Sequence, residues 1–286
     1  MPTVVFDAAL GASSLSWSLV HPRVAGFAQA CVYDRAGFGW SDAGPLPRTA
    51  GRIADELHEL LRRGDVRPPY VLVGHSFGGL VMRLFAARHR DEVAGLILIE
   101  PAIPEEWAAP SADSRALIQR GTRLCGVGAR AARLGIARVV AGLVRLGALA
   151  PARAIVRSVS RGGLRRSDEG ILAPIWKLPA EVRSRLGTMW TQPKFFEALG
   201  SQIAHVCDSA AEVQRESPGP YGTLPLIVIS ARASAEARLR ADAALARMSE
   251  GGQHLLAEEG GHWVPLDAPE VVVEAIRAMV ARIQSS

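Results

Sequence analysis

The stretch that decides the reading is Tyr70-Val71-Leu72-Val73-Gly74-His75-Ser76-Phe77-Gly78-Gly79. Its first half is an apolar run of strand type, and Pro68-Pro69 breaks the chain just before it. Its second half opens a helix expected from Phe77 to about His89. Gly74-x-Ser76-x-Gly78 therefore falls at a strand-to-helix turn. A serine at such a turn sits on a sharp, strained backbone, and its hydroxyl projects from the end of the sheet. Glycines on either side leave room for that strain and for close packing. The N–H of Phe77, at the start of the following helix, is placed to stabilise a developing oxyanion. Alone, the pattern also marks glycine-rich surface turns. The flanking strand and helix give it chemical meaning. His75 points to the other side of an extended backbone and reads as structural.

Working outward, strand-like runs occur at Thr3–Phe6, Ala30–Tyr33, Val93–Ile99, Leu224–Ser230 and His254–Ala257. Helical patterns occur at Ala50–Arg63 and Pro269–Ile283. Strands alternating with helices predict an α/β fold with a mostly parallel sheet of about six strands. Val93–Ile99 is almost wholly apolar, as a strand covered on both faces should be. The rhythm is lost between 101 and 222, where helices are broken by Gly and Pro. The expected organisation is a core in two parts, 1–100 and 223–286, around a helical insertion at 101–222.

The chain has 286 residues, 49% hydrophobic and 21% charged, which fits one globular core rather than a disordered chain. Cys31, Cys125 and Cys207 are scattered, so neither a disulfide framework nor a zinc site is expected. The opening MPTVVFDAALG lacks a signal-peptide pattern, and no run of about 18 uncharged apolar residues occurs. The expectation is a cytoplasmic protein. The net charge of +5 is unevenly placed: twelve arginines and no acidic residue lie between Arg115 and Arg166. On a helical wheel over about Thr122–Leu149, Arg123, Arg130, Arg133, Arg138 and Arg145 fall within roughly 140° of arc. Arginines in solvent, or contact with an anionic membrane surface, both fit. No recognition motif accompanies the charge, so a nucleic-acid partner is not expected. Trp176, Trp190, Phe195 and Phe196 either line an apolar pocket or pack the insertion.

Three stretches carry a family resemblance: Asp34-Arg35-Ala36-Gly37-Phe38-Gly39-Trp40-Ser41, Val73-Gly74-His75-Ser76-Phe77-Gly78-Gly79 and Gly260-Gly261-His262-Trp263. In their order and spacing the chain resembles the α/β-hydrolase fold family, in its esterase-like branch. The resemblance covers about residues 3–105 and 222–284, and the insertion matches only as a cap domain in the expected place. It implies Ser76 as nucleophile and a base that comes last in the chain, after the final strand. His262 fits that place, whereas His254 lies within the strand. Asp34 and Arg35 read as structural residues that tie loops together.

The third member of such a triad is an Asp or Glu that accepts a hydrogen bond from the imidazole. In most of the family it follows the last strand but one, where this chain reads Ala231-Arg232-Ala233-Ser234-Ala235-Glu236 with no Asp. Some members take it from the strand after the nucleophile helix, which here ends at Glu100. Glu100 is favoured over Glu236, with Asp242 and Asp267 as more distant choices. Asp267 belongs more naturally to the turn before the last helix. The second oxyanion donor is expected in the loop after the first strand, Ala8-Ala9-Leu10-Gly11, and the backbone N–H of Leu10 is the candidate. The family's His-Gly is absent there.

The resemblance also implies two strands before Thr3–Phe6, which the chain does not show, and their absence would leave Ala30–Tyr33 as a sheet edge. The expected reaction is hydrolysis of a carboxylic ester, or a related acyl bond, of a small apolar substrate. No metal or organic cofactor is called for. Epoxide hydrolases and dehalogenases of the family carry Asp as nucleophile, so those activities are disfavoured. A non-catalytic binding protein and a membrane-surface lipase remain as alternatives.

Overall fold

The computed structural model describes residues 1–160 and 176–285. Six strands form one parallel sheet: β1 (Thr3–Asp7), β2 (Gln29–Val32), β3 (Tyr70–His75), β4 (Val93–Ile99), β5 (Leu226–Ala231) and β6 (Gln253–Ala257). Their order is β2-β1-β3-β4-β5-β6, with Val73 of β3 level with Phe6 on one side and Ile97 on the other. The chain winds outward from β1 to β2, then crosses back and winds the other way from β3 to β6. Connections therefore diverge between β1 and β3, and the carboxyl ends of strands beside such a reversal are where α/β sheets build sites. Ser76 directly follows the carboxyl end of β3. The run at 29–32 is an edge strand, as the resemblance implied, and its residues are half-buried or exposed.

Apolar residues alternate to the two faces of the strands, so each face carries its own core. On one face Val4, Phe6, Val71, Val73, Ile97, Ile99, Ile227 and Ile229 meet Trp17, Val24, Val272, Ile276 and Met279. Each such side chain contributes about 1.5–3 kcal/mol by leaving water. The last helix, Pro269–Gln284, approaches closely because Gly95 lies beneath it. A Cβ there would sit 2.6 Å from Met279 Sδ. The other core contains Leu72, Leu80, Leu84 and Phe85 with Ile53, Leu57 and Leu61 of helix Ala50–Arg63.

The residues group into two units. The first holds Met1–Tyr33, Thr49–Ala109 and Val206–Ser286; the second holds Asp34–Arg48 and Pro110–His205. The expected insertion at 101–222 is therefore too wide. Helix Val206–Glu216 belongs to the first unit because it caps helix Ala50–Arg63. Ser209 Oγ accepts from Ala50 N at 2.9 Å, and Glu212 Oε2 accepts from Gly51 N at 2.8 Å. Residues 34–48 group with the second unit, where Phe38 meets Phe195 edge-on at 5.7 Å. There Asp34 Oδ2 accepts from Trp40 N at 3.1 Å, which gives Asp34 the loop-tying role read from the sequence.

Within the second unit, helix Ala112–Arg133 packs on helix Pro193–Ala204. The single arginine-bearing helix expected over about 122–149 is broken. Gly135 adopts φ 78°, helix Ile136–Arg145 starts afresh, and Gly147 follows at φ 74°. The five arginines thus do not share one stripe: Arg133 pairs with Glu197 at 2.6 Å, and Arg145 donates to Thr188 Oγ1 at 2.6 Å. Arg161, Arg165 and Arg166 lie outside the described residues. Trp190, Phe195 and Phe196 do cluster, but Trp176 is 71% exposed and lies beside Arg183 instead. Among the described residues no helix is long and apolar enough to cross a membrane.

Candidate active site

Ser76 takes φ 54° and ψ −116°, a conformation that costs a non-glycine residue on the order of 1–3 kcal/mol. The surroundings hold it there. Ser76 N donates to Ile99 O at 2.9 Å, and Ser76 O accepts from Gly79 N at 2.9 Å and Ala102 N at 3.1 Å. The turn closes only because its flanking positions are glycines. A Cβ on Gly74 would meet Gly78 O at 2.6 Å, and one on Gly78 would meet Asp7 O at 2.5 Å. The second contact also shows that the chain leaving β1 runs against the start of helix Phe77–Arg88. Leu10 lies in the turn that follows β1, and Phe77 is the first residue of that helix.

The Ser76 hydroxyl donates to His262 Nε2 at 3.0 Å, and His262 Nδ1 donates to Glu100 Oε2 at 3.2 Å. The three groups grade from interior to solvent: the Glu100 side chain is 5% exposed and that of His262 is 48% exposed. His262 follows β6 on a loop shaped by Gly260, at φ 98°, and held where Gly261 N donates to Asp267 Oδ2 at 2.8 Å. Asp267 is thus a loop-shaping residue, in line with its expected place in the turn. His75 is buried, and its Nε2–H donates to His262 O at 2.7 Å. Strand β3 therefore grips the backbone of the loop that carries His262.

Glu100 directly follows β4 at φ 44°, and its side chain reaches the loop after β5. Its Oε1 accepts from Ala231 N at 2.8 Å and from Ser234 Oγ at 3.0 Å. Burial alone would raise its pKa. Hydrogen bonds from His262 and Ala231, the nearby Arg238 cation and the Ser234 hydroxyl outweigh burial, and the carboxyl is held below the usual range. The carboxylate is thus held in its charged form beside the imidazole.

The other candidates lie elsewhere. Glu236 is exposed on helix Glu236–Ala246 and pairs with Arg240, so it does not reach the imidazole. His254 sits on β6, and its Nε2–H donates to Ser230 Oγ at 2.8 Å. Asp242 is buried and accepts from Ser230 Oγ at 2.8 Å and Arg238 Nε at 3.0 Å. Ser234, the Ala231 N–H, Arg238 and the His75–His262 link were not legible from residue types alone. The one usable signal was a small polar residue, Ser234, where an acid was sought.

Away from this site His58, His89 and Glu92 bring ligand-type atoms within 4.8 Å of one another. The two rings stack at 3.7 Å with planes 10° apart. Their nitrogen lone pairs therefore lie in two nearly parallel, stacked planes, and one ion cannot lie in the plane of both rings as they stand.

A family model described as alpha/beta hydrolase fold matches residues 2–133. Among curated proteins the chain is 37% identical over 101 residues to the uncharacterized protein YqjL of Bacillus subtilis (strain 168). That match covers 35% of this chain and 40% of the relative, so the chain spans less than half of the relative's length. Among solved structures, a thermophilic esterase from Thermogutta terrifontis superposes with a TM-score of 0.67 at 21% identity. It covers 99% of this chain and 90% of that one. The epoxide hydrolase CorEH superposes with a TM-score of 0.69 at 18% identity, covering 99% and 92%. With the family model, the six-stranded parallel sheet and these superpositions in agreement, the chain is a protein of the α/β-hydrolase fold.

Proposed function

We propose that the chain is a serine hydrolase that cleaves an acyl bond, a carboxylic ester foremost, through an acyl-enzyme on Ser76. The observation that carries this reading is the unbroken hydrogen-bond path Glu100–His262–Ser76 at the carboxyl ends of the strands. A serine hydroxyl is a weak nucleophile until a base takes its proton. His262 Nε2 accepts that proton as Ser76 Oγ attacks the carbonyl carbon. The negative charge that develops on the carbonyl oxygen meets the N–H groups of Phe77 and Leu10. The imidazolium, oriented and offset by Glu100, then protonates the leaving alcohol. Water enters, gives its proton to His262 and releases the acid. Serine at the nucleophile position supports acyl transfer over epoxide or haloalkane chemistry, for which the resemblance implies Asp.

The test is turnover of p-nitrophenyl acyl esters of increasing chain length. Hydrolysis that Ser76→Ala abolishes supports the reading, and binding without turnover would favour a non-catalytic hydrolase-fold protein.

A second reading, hydrolysis at an anionic membrane surface, is favoured by one observation. Helix Ile136–Arg145 has no buried residue, and Leu134, Val139 and Leu146 around it are 76%, 57% and 84% exposed in an arginine-rich segment. It predicts ester turnover that rises with anionic vesicles and falls again with salt.

A further inference from the structure

Glu100 and Pro101 form a strained corner at the end of β4, with Glu100 at φ 44°. A non-glycine residue stays in that region only when its surroundings over-determine it. Three contacts do so. Glu100 N donates to Ile229 O at 2.8 Å, Ala102 N donates to Ser76 O at 3.1 Å, and Arg238 Nη2 donates to Pro101 O between them. The first two are backbone contacts that many sequences could make. The third is a side chain reaching in from helix Glu236–Ala246.

Arg238 is itself anchored. Its Nε donates to Asp242 Oδ2 at 3.0 Å, and its side chain is mostly buried. The Asp242 side chain is 1% exposed, and the same oxygen accepts from Ser230 Oγ at 2.8 Å. Ser230 in turn accepts from His254 at 2.8 Å. A carboxylate buried that deeply is costly unless a cation accompanies it. One guanidinium therefore stands against two buried carboxylates: Asp242, which it grips, and Glu100, whose charge it attenuates. Burial raises the pKa of Asp242 and Arg238 opposes that rise, while Arg238 also helps hold Glu100 low.

We infer that Arg238, fixed by Asp242, is a positioning residue of the site: it pins the Glu100–Pro101 corner so that the Glu100 carboxylate meets His262 Nδ1. This inference rests on the serine-hydrolase reading. Arg238 touches neither nucleophile nor base and acts through Glu100. Without it Pro101 O loses the side-chain donor that pins the corner, and Asp242 and Glu100 lose the cation that lowers the pKa of both.

The experiment uses the full chain with Arg238→Met and Arg238→Lys. It measures ester kcat and KM, the rate of fluorophosphonate labelling and the pH profile of kcat/KM, with melting curves as the folding check. For Arg238→Met the expectation is a cooperative melt, KM within about twofold, and kcat and labelling rate about tenfold to a hundredfold lower. The acid limb of the profile moves to higher pH, because losing the nearby cation favours protonation of Glu100. Arg238→Lys keeps the charge, so the limb returns toward its original position. Should Arg238→Met not fold, Arg238→Gln, which removes the cation but keeps a polar side chain beside Asp242, takes its place in the same measurements and is expected to move the limb likewise. Wild-type kcat and an unmoved limb in the folded variant would overturn the inference. So would equal losses in Met and Lys variants with the limb unmoved, which is the signature of packing alone. A wild-type protein that neither labels nor turns over would overturn the hydrolase reading first, and the positioning role with it.

Discussion

Ser234 donates its hydroxyl to Glu100 Oε1 across 3.0 Å, joining the loop after β5 to the end of β4. Serine thus occupies the loop in which the resemblance implies an acid, and it donates to Glu100, which the neighbouring strand supplies. The triad-like geometry survives because two adjacent parallel strands end side by side, Ile99 level with Ile229. A carboxylate from either strand can reach the same imidazole.

That arrangement makes the acid movable. Glu100→Gln should lower kcat/KM on the order of a thousandfold, because the neutral amide no longer offsets the imidazolium. Ser234→Ala should cost about tenfold, since one hydrogen bond to a charged group is lost. Adding Ser234→Asp to Glu100→Gln should recover part of the lost activity. Steady-state kinetics on a p-nitrophenyl ester checks all three.

The His75–His262 link gives a second expectation. Nε2 of His75 holds the His262 carbonyl at 2.7 Å, which fixes the loop rather than the chemistry. His75→Phe should keep KM and lower kcat about tenfold to a hundredfold, as small misplacements of a base do. An unchanged kcat would show that the loop is held by Asp267 and Gly261 alone.

Two glycine substitutions should act in opposite directions. Gly78→Ala drives a Cβ to 2.5 Å from Asp7 O and 2.8 Å from Ala8 O, backbone atoms that cannot step aside cheaply. It should destabilise by about 1–3 kcal/mol. Gly142→Ala lies within helix Ile136–Arg145 with nothing within 4 Å of the added carbon. It should stabilise that helix by about 0.5–1 kcal/mol. Urea denaturation of the two variants reads both effects.

Stability should fall as the solution is acidified below neutral. Burial holds His89 and His254 below the usual histidine pKa. His89 is also opposed by His58 and Arg88 and favoured by Glu92 and Asp55, and His254 is favoured by Asp242 and opposed by Arg247. Both rings are therefore harder to protonate folded than unfolded. The stability they contribute is complete above the unfolded pKa of about 6.5 and is lost as pH falls through it toward the lower folded value. Glu100, also held low, acts in a separate and more acidic window: its contribution is lost as pH falls through its own depressed pKa. Tm should drop between pH 7.5 and 5.5, and the drop should shrink in His89→Asn and His254→Gln. An unchanged drop in both variants would contradict the assignment.

The sheet was legible because its signals are local and strong. Apolar runs such as Val93–Ile99 and the turn at Gly74–Gly78 leave few alternatives, and the strand bounds fall within a residue or two of expectation. Ser76 and His262 were legible for the same reason, each lying in a short stretch of glycines and small turns. The acid was harder, because Glu100 becomes the partner of His262 only through the lateral order β4-β5, which no local pattern encodes. Arg238 was not legible at all. An arginine four residues before an aspartate on a helix usually means a solvent-exposed pair, and only tertiary burial turns this one inward. The insertion's limits were misplaced because helix Val206–Glu216 looks like its neighbours in sequence, while its Ser209 and Glu212 cap a core helix.

The central claim is that Ser76 is an activated nucleophile. The most direct measurement is intact mass after treatment with a fluorophosphonate probe, with the adduct mapped by peptide sequencing. The account predicts one adduct, on Ser76, absent in Ser76→Ala and formed far more slowly in His262→Ala. Folded protein that takes no adduct, or that labels equally well in Ser76→Ala, would contradict it.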